Sequence, residues 1–247
     1  MAMIRKDFHQ ENYKHLTTDE LQLTAQEKRA NWWHYHKWHV IIGAILLFCL
    51  CDILKDVLHI GETYPDYQFA YVGTNSLPDD TVTALTAYLE SIGEDLNKDG
   101  KVVVEIHQYA SEDDEETNSD SAYYQYASEV SLLADITDND SFFFLLEDPE
   151  EFETANAALA YLDGSLPSDT ARDYENMYIA WTDSPLLMEA DLGDFTTDTL
   201  GYEASGDSNA LVQGLYLARR GFWSEETCDN YEGCVELWNR LIEDAQN

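Results

Sequence analysis

Between Trp32 and Ile60 the chain reads WWHYHKWHVIIGAILLFCLCDILKDVLHI, and this stretch limits what everything around it can be. Val40 to Cys51 is twelve residues without a charge, roughly 18 Å of helix at 1.5 Å per residue. A bilayer core asks for about 20 residues, so the run alone also suits a signal-peptide core or a buried helix. Its flanks extend it. Trp32, Trp33, Tyr35 and Trp38 gather upstream, as aromatic side chains do at a headgroup interface. Downstream, Asp52 and Lys55 are placed to pair, and the apolar pattern resumes with Ile53, Leu54, Val57, Leu58 and Ile60. Trp38 to Ile60 then covers roughly 35 Å, enough to cross if the charged turn sits near the far interface. A cleavable signal peptide fits poorly, because its charged region would be very long and no small-x-small site follows. Lys28, Arg29 and Lys37 flank the upstream end and place the N-terminus in the cytoplasm. The expected organisation is a cytoplasmic tail with a juxtamembrane helix (1–37), a transmembrane signal anchor (38–60), a linker (61–66) and an extracytoplasmic domain (67–247). Thr17 and Glu20 form a capping-box pattern that opens the juxtamembrane helix.

Charge divides at the same place. Residues 1–38 hold six Lys and Arg against five acids, whereas residues 61–247 hold six against 42. Such a field repels nucleic acid and anionic lipid headgroups and attracts cations. Of the four cysteines, Cys49 and Cys51 lie in the apolar run, while Cys228 and Cys234 lie in the acidic domain within TCDNYEGC. Outside the cell, that pair is expected to close a small disulfide loop. Two free thiols on a helix and its leading loop are the other reading. A zinc site is not expected, because His107 is the one histidine after His59.

Beyond the linker the pattern alternates. Tyr67–Gly73 reads as a buried strand, Thr81–Leu96 as a helix, Lys101–Tyr109 as a strand and 111–120 as an acidic loop. Ala122–Ile136 reads as a helix, Ser141–Leu146 as a strand, Pro149–Leu162 as a helix and Met177–Trp181 as a strand. Leu211–Ala218 suits either element, and Tyr231–Ala245 closes as an amphipathic helix. This alternation predicts an α/β fold, a mainly parallel sheet with flanking helices, preceded by a single transmembrane helix.

The order of parts, with YVG ending the first strand and then EDLNKDGKVVVEI, SFFFLLEDPEEF, YLDG, MYIAW and LYLARRGF, resembles a group of uncharacterised membrane-anchored extracytoplasmic proteins of Gram-positive anaerobes. Their soluble part is distantly similar to one lobe of the extracellular solute-binding proteins of ABC transporters. The resemblance covers most of the chain and implies a single solute-binding-like lobe. A full solute-binding protein has two lobes around a cleft, whereas about 180 residues allow little more than one, and no ligand-contacting residue carries over.

The sharpest motif is Asp95-Leu96-Asn97-Lys98-Asp99-Gly100-Lys101, the first half of an EF-hand loop. Asp95, Asn97, Asp99 and the Lys101 carbonyl are its candidate calcium ligands. Position twelve is Ile106 in place of the bidentate Glu, and the same residues also make a plain helix-to-strand turn. Thr74, Asn75 and Ser76 follow the first strand, at the edge where open α/β sheets bind ligands. Catalysis draws little support. No G-x-S-x-G, G-x-G-x-x-G or Walker sequence occurs. His107 suits a structural role, and acid pairs such as Asp113/Asp114 and Glu147/Asp148 are expected by chance at this composition. Arg219-Arg220 stands out as an anion clamp or as the partner of neighbouring acids. The expectation is a non-enzymatic, membrane-anchored binding or accessory protein with an unknown extracytoplasmic ligand or protein partner, a structural Ca2+ at most and no nucleic acid. An extracytoplasmic acid-assisted hydrolase is the alternative.

Overall fold

A computed structural model describes residues 24–57, 64–110, 119–199 and 202–243, in two compact units that divide at Glu62 and Thr63. The Thr17–Glu20 box, the end of the anchor (58–60), half of the linker (61–63) and the acidic stretch 111–118 with Asp113/Asp114 lie outside the described residues.

The first unit contains one helix, α1 (Ala25–Val57). Thr24 opens it with a capping box. Its amide and hydroxyl both donate to Glu27 Oε2 at 2.8 Å, and the Glu27 amide donates back to Thr24 Oγ1 at 3.3 Å. His36 stacks on Trp32, with ring centroids 5.0 Å apart, so the upstream aromatic cluster is ordered by the helix itself. Ala25–Lys55 is long and apolar enough to cross a membrane, and none of its apolar window is buried within the protein. Leu46, Leu47 and Phe48 are each more than 60% exposed. A helix in a protein core would bury these side chains.

The second unit is built on a five-stranded sheet of β1 (Tyr67–Gly73), β2 (Val104–Ala110), β3 (Phe143–Leu146), β4 (Tyr178–Ala180) and β7 (Tyr216–Arg219), in the order β2-β1-β3-β7-β4. Side chains alternate between its faces. Phe69, Tyr71, Phe143, Leu145 and Leu217 point into one core, whose ring contacts include Phe69 stacked on Phe143 at 4.4 Å. Ala70, Phe144, Leu146 and Ala218 point into the other. Both faces are covered, which is why SFFFLL is apolar without interruption. Helices α2 (Asp79–Ile92) and α7 (Tyr231–Ile242) supply Leu85, Leu89, Leu237, Trp238 and Leu241 to the first core. Helices α3 (Ser119–Asp138) and α4 (Pro149–Asn156) supply Leu132 and Phe152 to the second.

The sheet is mixed, which corrects the expectation of a mainly parallel one. β1 pairs in parallel with β2 and β3, but β7 runs antiparallel to both β3 and β4. The chain leaves β4 at Trp181, passes through α5 (Pro185–Met188), a hairpin of β5 (Asp194–Thr199) and β6 (Tyr202–Asp207), and α6 (Ser208–Val212), and returns beside its point of departure. The Trp181 amide donates to Leu215 O at 2.9 Å, so β7 starts at the edge where β4 ended and must run back. A parallel strand there would need a further crossover. The hairpin forms a separate two-stranded sheet, tied to α2 by the Thr196 amide on Asp80 Oδ2.

Two expected elements change most. The helix from Pro149 stops at Asn156 because Ala157 is left-handed, with φ 47°. The buried Glu153 carboxylate then accepts the Ala158 and Leu159 amides at 2.9 and 2.8 Å and turns the chain into an extended segment. Leu211–Ala218 is divided between the end of α6 and most of β7.

Candidate functional site

In the β2-β1-β3 half of the sheet the chain goes one way from β1 to β2 and then crosses back to β3. Right-handed crossovers therefore place α2 and α3 on opposite faces and leave a crevice outside the carboxyl ends of β1 and β3. A groove of about 230 Å³ lies there, between α3 and α4. Val72, Tyr109, Leu132 and Phe152 give it an apolar lining. Glu129, Glu147, Asp148 and Glu151 add four carboxyl groups beside the neutral Thr74, Gln125, Ser128 and Asn156.

Glu147, the first residue after β3, is held from two sides. Its Oε1 accepts the Tyr71 hydroxyl at 2.9 Å and its Oε2 accepts the Thr74 amide at 2.8 Å. A carboxylate has about four acceptor positions, so this one is fixed in direction with capacity left over. Burial and the Glu147 charge push the Tyr71 phenol well above its ordinary range, so it stays a donor. Gly73 makes the arrangement possible. A Cβ there would fall on the Tyr71 hydroxyl and lie 2.7 Å from Glu147 Cδ. Asp148, next in sequence, serves the fold, its Oδ1 capping α4 through the Glu151 amide at 2.9 Å. The acid pair in the sequence therefore separates into a groove carboxylate and a helix cap.

Of the three expected ligand residues, Thr74 lines the groove, and its amide helps to hold Glu147. Asn75 O lies 2.8 Å from the Tyr71 hydroxyl and shares its single proton with Glu147 Oε1. Asn75 and Ser76 are exposed and lie outside the groove lining. Comparison with family models, curated proteins and solved structures finds no match to this chain.

The turn expected to hold calcium is at the opposite edge, before β2. Asp95 accepts the Asp99 amide at 3.2 Å and the Gly100 amide at 2.8 Å. Asn97 Oδ1 accepts the Asp99 amide, and Asp99 Oδ1 accepts that of Lys101. Among the described residues no group of three or more His, Cys, Asp or Glu is placed to hold a metal ion. The turn is gripped from outside by Asp66, a buried residue that the sequence reading passed over. Its Oδ1 accepts the Leu96 and Asn97 amides at 2.8 and 3.1 Å, and its Oδ2 that of Val103 at 2.9 Å.

The remaining candidates lie away from the groove. His107 Nδ1 lies 3.9 Å from Asp135 Oδ2, which accepts the Tyr109 and Ser141 hydroxyls at 2.7 Å each. Asp135 is buried, and the pattern that would reveal it, an acid on the inner face of an amphipathic helix, is submerged among so many acids. Arg219 and Arg220 are buried as well. Arg219 lies over Phe142, 4.9 Å from the ring centroid, and Arg220 donates to Ile136 O. Burial lowers the pKa of both guanidiniums, offset for Arg220 by Asp135 and for Arg219 by Tyr231 and Asp163. Neither is presented at the surface as an anion clamp. Cys228 and Cys234 are buried free thiols.

Proposed function

We propose that this chain is a single-pass membrane-anchored binding or accessory protein. Its N-terminus is cytoplasmic, and its acidic α/β lobe is extracytoplasmic and takes a ligand in the groove beside Gly73, Thr74 and Glu147. The observation that carries this reading is the position of a fixed carboxylate, with acceptor capacity to spare, in an apolar-lined groove at a topological switch point. The helix Ala25–Lys55 supports the anchor, and the balanced charge before it against the acidic excess after it supports the orientation. Binding then amounts to docking at an exposed edge, with the membrane tether setting where it happens.

The acidic lining favours small cationic solutes. The full chain in lipid nanodiscs should show a saturable rise in melting temperature with one of lysine, arginine, putrescine or spermidine, and Glu147→Gln should remove it. No shift with any of the four, or a shift that Glu147→Gln leaves intact, overturns the assignment of the groove. Protease added outside intact cells should digest the lobe and spare the tail. Digestion only after lysis overturns the orientation.

The hydrolase alternative draws on the same edge, where several polar side chains gather. Acid-assisted hydrolysis needs one carboxyl kept protonated beside another that is ionised. Among the described residues burial pushes the Asp140 and Glu153 carboxyls upward, and both lie outside the groove.

A further inference from the structure

The TCDNYEGC segment plays no part in the groove, yet the fold brings its two ends together. Asn230 adopts a left-handed conformation with φ 56° and turns the chain into α7, whose opening bond runs from the Cys234 amide to Asn230 O at 3.0 Å. Cys228 is 7% exposed and Cys234 2%, both within the core between the sheet and α7. Both residues line one partly open cavity of about 90 Å³, together with Asp66, Gln68 and Thr227. Cys49 and Cys51 offer no competing pair within α1, because residues two apart on a helix do not face each other.

We propose that Cys228 and Cys234 form a disulfide that staples the first turn of α7 to the segment following β7. This rests on the extracytoplasmic placement proposed above, since thiols stay reduced in the cytoplasm. The bond forms by exchange with an oxidised dithiol carrier. One thiolate attacks the carrier disulfide and breaks its S–S bond to give a mixed disulfide. The second thiolate then attacks the mixed bond and releases the carrier as a dithiol. The two cysteines lose two protons and two electrons, and the carrier takes up the electrons.

The consequence is mechanical. α7 is the last described helix, and Cys234 begins the buried stripe that continues through Leu237, Trp238 and Leu241. Chain ends fray unless they are tied down. A staple at the first turn keeps that stripe on the sheet and closes a short loop, which limits its effect on the unfolded chain.

Trypsin releases both cysteines in one peptide, Gly221–Arg240. Full-length protein from cells lysed in excess alkylating reagent should yield that peptide unalkylated and two hydrogens lighter than its reduced form. Purified protein, reduced and then given oxidised glutathione, should regain the bond, and reduction should lower its melting temperature by about 5 °C. A peptide doubly alkylated in cells that still closes with glutathione shows a pair built for the bond in a reducing compartment, which overturns the extracytoplasmic placement and with it the staple. A peptide that closes in neither setting overturns the staple alone.

Discussion

Two turns at opposite edges of the sheet invite comparison. The one from Asp95 to Lys101 carries the strongest motif in the chain, and its side-chain oxygens are engaged by its own backbone amides. The edge around Gly73, Thr74 and Glu147 carries no motif, yet it places a carboxylate with spare acceptors beside a groove. Residue types alone do not separate the cases, since both are acids near a glycine at a strand end. What separates them is where the acceptor positions are used. A carboxylate that ties together amides of its own loop is part of the fold. One held by two donors at a cavity wall is available to a ligand.

The largest test of this distinction falls on Asp66. Asp66→Ala leaves three amides, those of Leu96, Asn97 and Val103, without their acceptor beneath a buried position. Bonds to a charged acceptor are worth about 1.5–3 kcal/mol each and are not additive, so the expected loss is roughly 3–5 kcal/mol by denaturant unfolding. A loss below about 1 kcal/mol would mean that the turn holds itself without Asp66, and the contrast between the edges would fail.

Gly73→Ala tests the other edge. Its Cβ displaces the Tyr71 hydroxyl or the Glu147 carboxylate. The expected cost is about 1–3 kcal/mol, as for other overpacked sites, together with loss of the melting shift produced by cationic solutes. Normal solute response in a destabilised Gly73→Ala would show that the position of Glu147 does not matter to binding. Gly100→Ala is milder. With φ 92° and open space around the site, it is penalised through its backbone alone, by about 1 kcal/mol. It should leave the groove unaffected.

Much of the lobe was legible in the sequence, for identifiable reasons. Tyr67–Gly73 matched to the residue because a strand buried on both faces is apolar almost throughout, Gln68 aside, and ends at its glycine. The reversed β7 was not legible, since direction depends on which edge the chain returns to, and the Trp181–Leu215 contact that decides it joins distant segments. The β5–β6 hairpin was missed because DFTTDT and YEASGD offer Phe195 as the one large apolar side chain apart from Tyr202. The end of α4 was misplaced because an alanine, Ala157, takes the left-handed position where glycine is the usual signal. At the site, Thr74 followed from the strand-to-helix rule. Glu147 was one acid among 42, and its selection depends on Tyr71 and Gly73 arriving from a different strand.

Glu153 brings the comparison inside the lobe, with the smallest expected effect. Its carboxylate accepts two backbone amides where that of Asp66 accepts three, but burial outweighs those bonds and raises its pKa above the ordinary carboxylate value. A carboxyl raised on folding adds stability that is fully present below its unfolded pKa and is lost as pH rises through the folded one. Wild-type protein should therefore lose part of its stability between the ordinary carboxylate range and neutrality. Glu153→Gln keeps an oxygen to accept the Ala158 and Leu159 amides but has no charge to bury. The melting temperatures of the two proteins should lie close together at acid pH and separate toward pH 7, with the glutamine variant the more stable. If the variant instead falls further below wild type as pH rises, the ionised carboxylate contributes more through those two amides than its burial costs. Glu153 would then be a structural anion of the same kind as Asp66.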